Sequence, residues 1–193
     1  MAKKVATVPK GYRTATATLV VNNAQAAIAF YESVFAADTL SCAYAPDGVT
    51  VLQAELKIGT SILRIGDEMP EFGIVSPTTL GGSSSPIHLY VEAADEIWEK
   101  ARQAGSTVVV PLADAYWGER YGRFVDPFGH IWSIAQRLEV LSSSEIAARA
   151  ETFFAPQPIA HSMDIEDVPP MEGAAYVVQS GEEGAIVSEP AAA

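Results

Sequence analysis

The sequence predicts an α+β fold made of two βαβββ modules, and three observations predict it. A run of β-branched residues is followed by an amphipathic helical pattern. Three strand-like segments separated by turns come next. The same order of elements then returns, so that residues 19–21 (LVV) have a counterpart in residues 89–91 (LYV). An internal duplication is the simplest account of this repeat.

The first module spans residues 14–67 and begins with a predicted strand over residues 14–21 (TATATLVV). Asn22 and Asn23 stop this strand and cap a helix over residues 24–35, in which apolar side chains recur at helical spacing. Turn residues then separate three more strands, which we predict over residues 40–44, 49–58 and 61–65.

The second module spans residues 86–137 and follows a segment, residues 68–85, with the Pro, Gly and Ser content of a linker. Its helix is predicted over residues 94–104 and is closed by Gly105. Its strands are predicted over residues 87–91, 107–111, 121–125 and 130–137.

Shorter segments flank this domain, which we place over residues 11–141. An N-terminal arm occupies residues 1–10, and a helix capped by Ser142 occupies residues 142–155. Residues 156–193 contain acidic side chains but no Lys or Arg, among Pro, Gly and Ala. Such a segment cannot bury enough apolar surface to offset its ordering entropy, so we predict a disordered acidic tail. Whether the tail binds a partner or raises solubility stays open.

Composition excludes several classes of function. The 193 residues include 24 acidic and 12 basic side chains, and the net charge of −12 opposes binding to nucleic acid. The single cysteine, Cys42, cannot form an intrachain disulfide, and we expect a cytoplasmic protein. No apolar run approaches the roughly 18 residues of a membrane span, so no membrane partner is expected.

Several motifs, taken in order along the chain, resemble one known family. They are Gly11-Tyr12, residues 22–31, Ile58-Gly59, residues 67–70, residues 88–92, residues 116–122 and residues 126–132. Together they resemble the PhnB-like branch of the vicinal oxygen chelate superfamily, which includes glyoxalases, bleomycin-resistance proteins and extradiol dioxygenases. The resemblance covers roughly residues 11–137. It implies that the mixed sheets of the two modules pair into an open, barrel-like cup for a small-molecule ligand, and that the protein forms a homodimer.

The same resemblance bears on metal binding. Metal-using members place one ligand near the start of each module's first strand and one in each module's last strand, typically His and Glu. The matching positions here are Thr16, Arg64, Pro86 and Ser133. Thr and Pro are poor ligands for a divalent ion, and an arginine repels one. The resemblance therefore implies a member without the four-ligand metal site, and we predict no metal or other cofactor.

His88 is a candidate ligand-binding residue, because it lies two residues beyond Pro86 and shares that face of the strand. His88 can act as a hydrogen-bond partner of a ligand, as a general base, as a lone metal ligand or as a structural histidine. Tyr90 shares the same face and either offers its phenol to a ligand or packs against its neighbours.

Arg64 is expected on the same face as Ser133, where a guanidinium in an otherwise apolar cup favours an anionic ligand group. The alternative is that its side chain extends to the rim of the cup. Glu55 alternates with Gln53 along the long strand and is a possible ion-pair partner that neutralises Arg64.

Aromatic residues concentrate in the segment 116–123 (YWGERYGR). Trp117 and Tyr121 either stack on a planar ligand or anchor the loop. Trp132, by contrast, alternates with Ser133 and is predicted to pack in the core beneath the helices.

Two functions of different classes follow. The first is a metal-independent protein that binds a small molecule. The second is a metal-dependent lyase, isomerase or dioxygenase whose metal lies in a rearranged site around His88 and Glu55. Whether the protein is an enzyme is open between them.

Overall fold

A computed structural model describes residues 6–155 of the chain. The first module comprises β1 (Thr18–Val21), α1 (Ala24–Phe35), β2 (Asp38–Tyr44), β3 (Val51–Ile58) and β4 (Ser61–Asp67). A short 3-10 turn (Pro70–Phe72) and the short helix α2 (Pro77–Leu80) follow. The second module comprises β5 (Ile87–Tyr90), α3 (Ala94–Gln103), β6 (Thr107–Asp114), β7 (Glu119–Val125) and β8 (Ile131–Arg137), and α4 (Ser143–Phe154) closes the described chain.

Each module forms a four-stranded mixed sheet, which confirms the predicted pair of βαβββ modules. The first sheet has the order β1-β4-β3-β2 and the second has the order β5-β8-β7-β6. In both sheets the module's first strand runs parallel to its last strand, and the other neighbours are antiparallel. The two sheets therefore have the same topology, as a duplication requires.

Strand β1 is shorter than the predicted strand over residues 14–21, because it begins at Thr18. Its ladder with β4 starts where Thr18 lies opposite Arg64. Residues before Thr18 pass the end of that ladder and have no strand partner, although the Ala17 carbonyl oxygen still accepts a hydrogen bond from the Arg64 N–H. Thr16 consequently lies in the segment that leads into β1 and outside the sheet.

Helix α1 matches its prediction at both ends. The side chain of Asn23 accepts a hydrogen bond from the N–H of Ala26 at 3.0 Å, as an N-cap does. The helix buries Ala27, Phe30, Tyr31 and Val34 on one stripe.

The core lies between the helices and one face of each sheet. Side chains of α1 reach the second sheet as well as their own, since the rings of Phe35 and Trp132 lie 4.5 Å apart. Trp132 is completely buried, which confirms its predicted place in the core. We call the face of each sheet opposite the helices its outer face.

A buried carboxylate links the two modules. Asp126 accepts hydrogen bonds from the Tyr31 hydroxyl at 2.7 Å and the Trp132 indole N–H at 2.8 Å. It also accepts from the backbone N–H groups of Phe128 and His130, each at 2.9 Å. Four donors satisfy the charge inside the core, so helix α1 of the first module is held to the final turn of the second.

The segment between the modules contains more structure than a linker composition indicates. The carboxylate of Glu68 accepts from the Ser76 N–H at 2.9 Å and from the Thr79 hydroxyl at 2.8 Å. Met69 and Ile74 form an isolated antiparallel bridge. Local caps of this kind order a chain without apolar periodicity, which is why strand and helix patterns did not reveal them.

The two sheets are not closed into a barrel. Within residues 6–155, no strand of the first sheet contacts a strand of the second. The outer faces therefore belong to two sheets whose strands do not pair with each other in the described part of the chain. The predicted acidic tail, residues 156–193, lies outside the described residues. Among the helices of the described part, none has the length and hydrophobicity needed to cross a bilayer.

Candidate functional site

The outer face of the second sheet brings His88 and Ser133 together. These residues are direct partners in the parallel pairing of β5 with β8. His88 Nδ1 lies 2.8 Å from Ser133 Oγ, a hydrogen bond whose direction depends on the tautomer. Ser133 is buried and His88 is exposed. This geometry engages one ring nitrogen and leaves Nε2 available to a ligand.

Aromatic rings surround His88. The ring of Tyr90 meets it edge-on, with centroids 4.7 Å apart, and the ring of Tyr121 lies nearly parallel to it at 6.2 Å. Trp117 then contacts Tyr121 edge-on at 5.4 Å. The rings form a continuous strip along the surface, and aromatic faces of this kind stack on planar groups.

Glu119 orients two of these rings from the start of β7. Its carboxylate accepts a hydrogen bond from the Tyr90 hydroxyl at 2.9 Å and from the Trp117 indole N–H at 2.8 Å. The hydrogen bond to this carboxylate, and then its charge, raise the pKa of Tyr90. Sequence reasoning missed Glu119. The available signal was the alternation of Glu119, Tyr121 and Arg123 on one face of a strand.

Arg123 contributes a cation to the same surface. It lies opposite Ser133 in the pairing of β7 with β8, and its Nη2 donates to the Tyr121 hydroxyl at 3.1 Å. Its Nε is buried and has no hydrogen-bond partner in the described part of the chain. The sequence indicated an arginine in this segment but not its place beside Ser133. We define the second-sheet site as His88, Tyr90, Trp117, Glu119, Tyr121, Arg123 and Ser133.

The outer face of the first sheet carries Arg64 and Glu55, which are direct partners in the pairing of β4 with β3. Both are half-buried. Their charges are not joined, since none of the ion pairs within 4.0 Å in residues 6–155 includes either side chain. The Nε of Arg64 is buried without a hydrogen-bond partner among those residues. The ion pair between Arg64 and Glu55, which the sequence left open, is therefore absent from this geometry.

Seven of the eight predicted site residues thus divide between the two sheets. His88, Tyr90, Trp117, Tyr121 and Ser133 lie together on the second sheet, and Glu55 and Arg64 lie on the first. Thr16 precedes β1 and is half-buried. The roles of these residues remain predictions.

The donors at the metal-ligand positions do not fit a divalent ion. Arg64 is a cation, Pro86 offers no side-chain donor, and the Ser133 hydroxyl is engaged by His88. Across residues 6–155, no group of three or more His, Cys, Asp or Glu side chains is arranged to hold a metal ion.

Comparison with known proteins agrees with this architecture. An uncharacterized protein of Mycobacterium bovis is 40% identical over 133 residues, which are 67% of this chain and 87% of the relative. The crystal structure of TioX from Micromonospora sp. ML1 is similar with a TM-score of 0.51 at 23% identity, covering 64% of this chain and 97% of TioX. The PhnB protein from Bacillus cereus is similar with a TM-score of 0.52 at 18% identity, covering 64% of this chain and 99% of that protein.

Both structural likenesses concern the fold alone. The family model described as Glyoxalase/Bleomycin resistance protein/Dioxygenase superfamily matches residues 13–134, which include every strand of both sheets except the end of β8. The chain belongs to the glyoxalase/bleomycin resistance protein/dioxygenase superfamily.

Proposed function

We propose that this protein binds a small planar molecule with an anionic group on the second-sheet site, without a metal, and sequesters or carries it. One observation carries the proposal: a His88–Ser133 pair is flanked by aromatic rings and by an arginine with an unpartnered N–H. The rings supply stacking surface, and Arg123 supplies charge.

The ligand chemistry follows from the donors that remain free. Ser133 is committed to His88, and the Glu119 oxygens are committed to Tyr90 and Trp117. Arg123 Nε remains to donate to a ligand, and His88 Nε2 does the same in the tautomer whose Nδ1 accepts from Ser133. A carboxylate or other oxyanion on a flat ring system satisfies them while the ring lies against Tyr121 or Trp117.

The test is a screen of aromatic carboxylates in which binding is measured by the quenching of tryptophan fluorescence. The shift of the melting temperature on binding is the second readout. We expect His88→Ala and Arg123→Gln each to weaken binding of the best compound by about tenfold or more, which corresponds to about 1.4 kcal/mol. Arg120→Gln is the matched control, because Arg120 lies on the same strand but pairs with Asp95 and Asp114. Equal affinity in wild type and both site variants would remove the second-sheet site from the proposal.

Elemental analysis of protein purified without chelators tests the metal-independent part of the proposal. We expect substoichiometric Zn, Ni, Mn and Fe. The metal-dependent alternative needs donors around His88 and Glu55, which stand on different sheets of one chain. Stoichiometric metal that is lost in His88→Ala would replace the binding function with that alternative.

We further propose a cytoplasmic homodimer. Strands β2 and β6 are sheet edges that expose apolar side chains, among them Leu40, Tyr44, Val108 and Val109. An exposed apolar edge is a ready surface for a second copy. Light scattering after gel filtration should give twice the chain mass of 20.5 kDa, and Val109→Lys should lower it. A single-chain mass at high protein concentration would rule the dimer out.

A further inference from the structure

The C-terminal helix α4 lies beside the strip of aromatic rings that belongs to the second-sheet site. The ring of Tyr116 meets the ring of Trp117 edge-on, with centroids 4.9 Å apart. Tyr116 also contacts two rings of α4, with centroids 5.2 Å from Phe153 and 5.8 Å from Phe154. The aromatic strip therefore continues past Trp117 and ends on α4. This helix lies beyond residue 134, where the match to the family model ends.

Contacts of the segment before α4 fix the helix to the turn that carries Trp117. The Gly118 carbonyl oxygen accepts hydrogen bonds from the N–H groups of Leu138 and Glu139, each at 3.0 Å. The Glu139 carboxylate then forms a bidentate ion pair with Arg149 of α4, at 2.7 Å and 2.9 Å. The position of α4 relative to Trp117 is thus set by the chain itself and needs no ligand.

The phenylalanines of α4 do not serve the core. None of the residues of α4, all of which the structure describes, is buried. Phe153 has 63% of its surface exposed, and Phe154 has 69%. Phe153 is the nearer of the two to Tyr116, and its ring is tilted by only 36° from that of Tyr116. An apolar group that covered Phe153 would remove exposed hydrocarbon from water.

Charges near this end of the strip favour an uncharged group. The Glu139 carboxylate is paired with Arg149, and the Glu119 oxygens accept from Tyr90 and Trp117. The exposed carboxylates of Glu145 and Glu151 leave α4 with an excess of negative charge. A second anionic group on the ligand would be repelled there, whereas a neutral ring would not.

We propose that Phe153 is the outer wall of the second-sheet site and selects ligands with a second, uncharged aromatic ring on a short spacer. This inference rests on the proposed function and narrows its ligand class. The carboxylate then lies at Arg123 and His88, the first ring against Tyr121 or Trp117, and the second ring against Phe153. Ring-to-ring contacts favour an aromatic terminus over an aliphatic one.

Calorimetric titration of the full chain with two matched probes tests the inference. Both are aromatic carboxylates: para-methoxybenzoate carries one ring, and para-benzyloxybenzoate adds a phenyl ring to the methoxy carbon. We expect the two-ring probe to bind wild type at least about fivefold more tightly. Phe153→Ala should remove this advantage and leave the binding of para-methoxybenzoate unchanged. An advantage that persists in Phe153→Ala would overturn the inference.

Phe72→Ala is the matched control, because Phe72 is 73% exposed and lies in the 3-10 turn between the modules. This variant should keep the full advantage of the two-ring probe. Wild type that binds both probes equally would remove the inference and leave the proposed function in place. Wild type that binds neither probe would remove the proposed function, and the inference with it.

Hydrogen exchange of the full chain provides a readout that needs no substitution. Because no residue of α4 is buried, its amide groups should exchange readily without a ligand. We expect para-benzyloxybenzoate to slow exchange over residues 143–154, and para-methoxybenzoate to leave it unchanged. Helix α3 is the internal control and should respond to neither probe. Equal exchange in α4 with the two probes would contradict contact between Phe153 and the second ring.

Discussion

The outer faces of the two sheets use the same backbone positions for different chemistry. In the first sheet Thr18, Arg64 and Glu55 lie side by side across β1, β4 and β3. The equivalent strands of the second sheet place His88, Ser133 and Arg123 side by side. Aliphatic side chains, among them Val20 and Ile74, line a cavity at Arg64 in the first array, whereas aromatic rings contact His88 and Arg123 in the second.

The faces turned to the helices differ much less. Leu63 and Ile65 are buried in the first sheet where Trp132 and Ile134 are buried in the second. Burial demands apolar residues at these positions in both modules, because each stabilises the core in proportion to the area it removes from water. Outer-face positions carry no such demand. Stability therefore limits the core positions of both modules to apolar residues, whereas the outer faces can differ in the residues that bind a ligand.

Trp132→Ala should produce the largest effect, and it tests whether stability constrains the sheet faces that are turned to the helices. Trp132 is fully buried against Tyr31 and Phe35, so its removal should lower the free energy of unfolding by about 3–5 kcal/mol. Urea unfolding measures the loss. Trp117→Ala, a half-buried residue of the outer face, is the control and should cost under about 2 kcal/mol. Equal losses in the free energy of unfolding would mean that residues on the two faces contribute equally to stability.

Tyr31→Phe should have the next largest effect, because it removes one donor to the buried Asp126 carboxylate. We expect a loss of about 1–3 kcal/mol in the free energy of unfolding. Burial, and then the charge of Asp126, raise the pKa of Tyr31 above its ordinary value of 10.0.

The raised pKa also predicts a dependence on pH. The folded state holds the phenol proton more tightly than the unfolded state, so this contribution to stability is complete below pH 10.0 and is lost as the pH rises above it. Wild type should therefore lose stability more steeply than Tyr31→Phe in alkaline urea titrations. Parallel curves for the two proteins would argue against the Asp126 contact.

His88→Thr places on the second sheet the residue that Thr18 supplies to the first. We expect a change of only about 1 kcal/mol in the free energy of unfolding, since one hydrogen bond to Ser133 is lost and His88 is exposed. Binding of the aromatic carboxylate should nonetheless be abolished in the fluorescence titration. A loss above about 3 kcal/mol would assign His88 to the fold and not to a ligand.

Glu119→Gln should have the smallest effect, confined to the orientation of two rings. Removal of its charge should return the pKa of Tyr90 toward 10.0, because the hydrogen bond and charge of Glu119 are what raise it. Tyrosine-labelled NMR titrations would detect this change. Glu99→Gln, on the opposite side of the module in α3, should leave the pKa of Tyr90 where it is.

The sequence identified some residues of the candidate site and missed others. Ser133 was identified from the ligand positions that the family resemblance implies, and His88 because alternation along the strand puts it on the same face as Pro86. The pairing of β5 with β8 then joined the two residues. Glu119 escaped notice because its partners Tyr90 and Trp117 come from other parts of the chain. The short 3-10 turn and α2 escaped because they depend on caps and not on periodicity.

The amino-acid sequence by itself determined the order of elements within each module, the limits of α1 and the burial of Trp132, because each depends on periodicities within a few residues. Only the tertiary structure decided that, within residues 6–155, no strand of the first sheet lies against a strand of the second, and that β1 begins at Thr18. The physical reason is that strand pairing and the packing of α1 against both sheets join residues far apart in the chain, and no local pattern records those distances.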